Sequence, residues 1–109
     1  MAILALTQSL DCTKTQVFRG GGDLTPKYHL GEVKIRNGKV QPTRGVSLEL
    51  DPADAARHSV PHRVKSIPDE LEIVQQGKRT GHHELRPKVE MSVERFEALL
   101  KQVDLEPIP

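Results

Sequence analysis

The chain has a single cysteine, Cys12, so no internal disulfide can form, which fits a reducing compartment. Tryptophan is absent, and aromatic residues make up 3% of the 109 positions. A core so short of rings has to rest on Leu, Val and Ile, and its stability is expected to be modest. An excess of one charge is lacking too: 16 basic and 15 acidic residues leave a formal charge of +1. That balance gives no electrostatic case for DNA, RNA or an anionic membrane. No apolar run approaches the roughly 18 residues of a spanning helix. The opening "MAILAL" lacks the basic region and apolar length of a conventional signal peptide. The expectation is one cytoplasmic domain over residues 1–109, with no membrane partner.

What is present is punctuation. Eight glycines and eight prolines are scattered in turn-like places, with no internal repeat. "AILAL" reads as a strand or apolar lead-in, and "TQVFRGGG" as a strand running into a glycine turn. In "GEVKIRNGKVQ", Val33 and Ile35 alternate with Glu32 and Lys34, and Asn37-Gly38 suits a type I′ hairpin turn. "RGVSLEL" is a further strand with Val46, Leu48 and Leu50 on one face. Asp51 and Pro52 then fit the N-cap and first position of a short helix. "HRVKSI" and "ELEIVQQG" read as two strands about a Pro68-Asp69 turn, and "HHEL" as another. Val93, Phe96, Leu99, Leu100 and Val103 form an apolar stripe at helical spacing behind an N-cap at Ser92. Short strands with one or two helices, not regularly alternating, predict an α+β fold with a small β-sheet core.

Several stretches carry chemistry, each with an ordinary alternative. The glycines of "FRGGG" do not form G-x-G-x-x-G, so they read more simply as a turn than as a phosphate cradle. Arg19 at that strand end could fork onto a phosphate or ribose, or pair with a surface acid. Ser47 lies opposite Val46 and Leu48 and has no nucleophile elbow around it. His58 and His62 are four apart, but Pro61 between them breaks helical spacing, which argues against a metal pair. In "GHHELRP", period-two alternation puts His82 and Glu84 on one face and His83 and Leu85 on the other. His82 and Glu84 therefore form either an acid–base pair or ribose anchor, or part of a solvated strand face.

Taken in order, these stretches carry a resemblance. "VFRGG", "RNGKVQPTRGVS", "IPDELEIVQQG" and "HHELRPKVEMSVERFEALL" are similar to the toxin family exported by type VI secretion, typified by a cytosol-acting Pseudomonas effector with an ADP-ribosyltransferase-like fold. The similarity covers residues 15–103, with a small gap near Thr43. It implies that Arg19 grips a dinucleotide, that Ser47 braces the cleft, and that His82 is the histidine of a histidine-tyrosine pair. Pro87 and Met91 follow in register. His83 stands where the family has tyrosine, and Glu84 where that toxin has no carboxylate, though many ADP-ribosyltransferases place a catalytic glutamate on a comparable strand.

The resemblance implies an ADP-ribosyltransferase-like fold with a split sheet and transfer of ADP-ribose from NAD. His82 and Glu84 would be catalytic, Arg19 and Ser47 would bind the cofactor, and Tyr28 or Phe18 would stack on the nicotinamide. It also implies a cognate immunity protein in the producer. Two other readings stay open. One is a metal-independent ribonuclease toxin using His82, His83 and Glu84 with Arg19 on the phosphate, against which the near-neutral charge counts. The other is a β-rich binding domain without chemistry.

Overall fold

The computed structural model describes residues 16–57 and 59–108. The expected lead-in strand, Cys12 and His58 lie outside them. The described residues form an α+β fold of mostly antiparallel strands in two sheets, with two helices. The larger sheet has six strands: β1 (Phe18–Gly20), β4 (Val46–Glu49), β5 (Pro61–Ser66), β6 (Leu71–Gln75), β7 (His82–Pro87) and β9 (Asp104–Pro107). Their spatial order is β6-β7-β4-β1-β5-β9. The smaller has three: β2 (Ile35–Arg36), β3 (Lys39–Val40) and β8 (Met91–Ser92), in the order β2-β3-β8.

Local chemistry explains most of these elements. Asn37 and Gly38 both have positive φ, 55° and 75°, as a type I′ turn requires, and Ile35 pairs with Val40 across it. The helix α1 (Pro52–Ala55) starts where the Asp51 side chain accepts from the Ala53 N–H at 2.9 Å. The helix α2 (Val93–Leu100) starts where Ser92 accepts from the Arg95 N–H at 3.1 Å. Its Phe96, Leu99 and Leu100 are buried against Val46, Leu48 and Leu85, the inward face of β4 and β7. Val17, Leu24, Val33, Val40 and Leu71 complete that core, in which Phe96 is the one ring.

Three expectations need correction. Glu32, expected on the polar side of a strand, is 8% exposed and precedes the first hairpin strand, while Ile35 is 42% exposed. Leu50, assigned to the apolar face of β4, lies past the strand end and is 39% exposed. Glu84, placed on a face toward a cleft or solvent, is 1% exposed because β7 is an interior strand held between β6 and β4.

Candidate functional site

The site is built by register. Phe18 on β1 stands beside Glu49 on β4, and Glu49 beside His82 on β7. One step along, Ser47 stands beside Glu84. Residues opposite one another in an antiparallel pair share a face, so this row faces away from Val46, Leu48 and Leu85. A cleft of about 280 Å³ opens over it, lined by Phe18, Ser47, Glu49 and His82, with Arg79 and Ala55 at one side. Lys27, Leu30 and Arg44 also line it, as do Arg19 and Glu32.

His82 lies between two carboxylates. Its Nε2 is 3.4 Å from Glu84 Oε2 and its Nδ1 is 3.7 Å from Glu49 Oε2. Glu84 Oε1 accepts the Gly45 N–H at 3.0 Å, which fixes that carboxylate beneath the cleft rather than in its wall. Gly45 is required there by proximity: a Cβ on it would stand 2.0 Å from the Leu85 carbonyl oxygen. Glu49 Oε2 accepts from Arg79 Nη2 at 3.0 Å, and this contact raises the Arg79 guanidinium further above its ordinary range. Glu49 Oε1 is buried and finds no donor among the described residues.

Arg19 is committed to the protein. β1 and β4 pair at Phe18–Glu49 and then part. Where they part, Arg19 Nη1 donates to the Ser47 carbonyl at 2.9 Å and to Glu32 Oε2 at 2.9 Å. Glu32 Oε2 in turn accepts the Ser47 N–H at 2.8 Å, and its Oε1 accepts the Lys27 N–H at 2.7 Å. The ion pair thus satisfies the backbone of Ser47 where the β1–β4 ladder opens, groups that would be costly to leave unpaired. Arg19 Nε and Nη2 point to the carbonyls of Asp23, at 3.2 Å, and Thr25, at 3.5 Å. Burial alone would raise the Glu32 carboxyl. The N–H groups of Lys27 and Ser47 and the Arg19 guanidinium outweigh it and hold the carboxyl below the ordinary range.

Of the residues singled out in the sequence, Ser47 and His82 line the cleft with Arg19 at its back, and Glu84 supports His82 from below. Tyr28 is elsewhere: its hydroxyl donates to Glu97 Oε2 on α2 at 2.5 Å. It stands near a second groove, of about 350 Å³, lined by Leu24, Glu97, Leu100, Lys101 and Leu105. That groove is lined about equally by polar and apolar surface and gathers none of the candidate acid–base residues. His83 is buried on the core side beside Leu48.

Sequence reasoning passed over Glu49, Glu32, Lys27, Arg44 and Arg79. Glu49 had a signal, since it lies two residues from Ser47 on the same strand face. Glu32 fell in an alternating stretch read as the polar side of a strand, and Lys27, Arg44 and Arg79 reach the cleft through loops, where no periodicity marks them. No protein-family model, curated protein or solved structure matches the chain.

Proposed function

We propose that the chain is an ADP-ribosyltransferase-like toxin domain whose cleft takes NAD as substrate. The observation that carries this reading is the meeting of Ser47 and His82 in one cleft, with the Glu84 carboxylate 3.4 Å from the His82 ring. Ser47 and His82 are residues the ordered motifs single out, and Glu84 is a departure from that family's pattern.

The donor set fits a dinucleotide. Lys27 and Arg44 bring two cations to a pyrophosphate, and Phe18 and Leu30 bring apolar surface to a ring. Glu49 Oε1 is a buried acceptor with no donor among the described residues, and a ribose hydroxyl would supply one. Because Arg19 already serves Glu32 and Ser47, and Arg79 serves Glu49 and Asp54, the phosphate contacts fall to Lys27 and Arg44, and Arg19 holds the cleft open.

NAD supplies an activated glycosidic bond. When the bond from the ribose C1′ to the nicotinamide nitrogen breaks, the electron pair leaves with the nitrogen and positive charge grows on the ribose. A carboxylate in the cleft wall stabilises that charge. The acceptor's nucleophile bonds to C1′ and loses a proton, which a neutral His82 imidazole can take. Such a toxin would act in the cytosol of a target cell and need an immunity protein in its producer.

Calorimetry with NAD and measurement of nicotinamide release test the proposal. His82→Ala should keep binding within a few-fold and lower release about 100-fold or more. Wild-type protein that neither binds NAD nor releases nicotinamide would overturn it. A ribonuclease reading shares one observation, His82 between two carboxylates amid three cations. Degradation of total RNA without NAD would favour it.

A further inference from the structure

We propose that Glu49, and not Glu84, is the carboxylate that holds the ribose hydroxyl and faces the developing charge in this cleft. The assignment rests on the NAD reading above.

Three glutamates surround the cleft, and their hydrogen bonds separate them. Glu32 has both oxygens engaged, by the Lys27 N–H on one side and by Ser47 N–H and Arg19 on the other. Glu84 is 1% exposed, its Oε1 holds the Gly45 N–H and its Oε2 faces His82. A ligand taking Glu84 Oε1 would leave the buried Gly45 N–H unpaired, which is costly, and one taking Oε2 would displace the His82 ring from it. Glu49 stands in the wall, with its side chain 15% exposed. Its Oε2 is steadied by Arg79, and its Oε1 holds no donor among the described residues. Oε1 has no hydrogen bond to lose, and turning the carboxylate to bring it into the cleft gives up only the hydrogen bond from Arg79, whose side chain is 58% exposed. A buried carboxylate oxygen without a donor is the unusual arrangement, and an incoming hydroxyl relieves it.

The neighbours divide the work. Arg79 Nη1 is also 3.8 Å from Asp54 Oδ2, so the guanidinium ties the 76–81 connection to α1 across the mouth of the cleft. Phe18, directly beside Glu49 in the sheet, supplies the apolar wall next to it. His82, on the other side of Glu49, is placed to receive the acceptor's proton. In this arrangement Glu49 touches the ribose and Glu84 is a positioning residue acting through His82.

The decisive experiment is a binding cycle between Glu49→Gln and an NAD analogue lacking the 2′-hydroxyl of the nicotinamide ribose. A charge-assisted hydrogen bond predicts that the analogue binds wild type about 10-fold more weakly than NAD does. Glu49→Gln should lose most of that preference, while nicotinamide release from NAD falls about 100-fold. Glu49→Asp, which keeps the charge, should recover part of both. Glu84→Gln should retain the preference for the 2′-hydroxyl in its folded fraction and show a lowered Tm. If wild type binds NAD and Glu49→Gln keeps both its release rate and the hydroxyl preference, Glu49 is excluded while the NAD reading stands. If wild type neither binds NAD nor releases nicotinamide, the NAD reading fails and this assignment falls with it.

Discussion

Glu32 shows how a single buried charge can serve as backbone. Its carboxylate takes two backbone N–H groups and one guanidinium, so removing it strands Arg19 in a site where that residue is 7% exposed. Glu32→Ala should cost about 3–5 kcal/mol, read by denaturant unfolding. The pH dependence follows from the lowered carboxyl. Because its folded value lies below the unfolded one, the contribution is complete above the ordinary carboxylate range and lost as pH falls through the folded value. Acid titration of stability should therefore be shallower in Glu32→Gln than in wild type.

Tyr28 offers an independent probe, because it is the chain's one tyrosine. Burial first, and then the Glu97 carboxylate, push its phenol above the ordinary range. The tyrosinate absorbance of wild type should rise later on alkaline titration than that of Glu97→Gln. An identical midpoint in both would mean that the Tyr28–Glu97 contact does not form in solution. Here the sign is reversed: stability gained from this shift is present below the unfolded value and lost as pH rises through the folded one.

Among elements, the close approach of Gly45 to β7 is the most demanding contact. Gly45→Ala would set a Cβ 2.0 Å from one backbone atom and 2.7 Å from the Arg86 Cβ. Either β4 and β7 move apart or Glu84 loses the Gly45 N–H, so a loss of more than about 2 kcal/mol is expected by calorimetric unfolding. The hairpin at Asn37-Gly38, both helix N-caps and the principal β-strands were legible because their causes are local. β8 and β9 were not. β8 is two residues long and exists because Val40 and Lys39 pair with it. β9 ends in a proline and reads as a tail, and its place at the sheet edge is given by Arg63 and Lys65, which face Glu106 and Asp104. The site divided in the same way. His82 and Ser47 could be found from strand alternation, whereas Glu32, Lys27 and Arg79 reach the cleft along loops whose course only the assembled sheet determines.

For the molecule as a whole, scarcity of rings concentrates risk. Phe96 is fully buried and is the one aromatic in the core cluster joining α2 to the large sheet. Phe96→Ala should remove about 3–5 kcal/mol. Total stabilities of small domains are about 5–15 kcal/mol, so that variant should be close to unfolding at ordinary temperature, visible as a collapsed Tm. Among the described residues no helix is long and apolar enough to cross a membrane.

The parting of β1 from β4 makes the cleft's width a side-chain dimension. Arg19 and Glu32 act as a wedge driven into the seam, with the Ser47 peptide gripped from both its N–H and its carbonyl. A wedge can be cut thinner. Glu32→Asp shortens it by one methylene and should draw the jaws together, whereas changes at Leu30 or Arg44 leave the wedge as it is. Selection acting on ligand size could thus work at a residue far along the chain from the strands it separates.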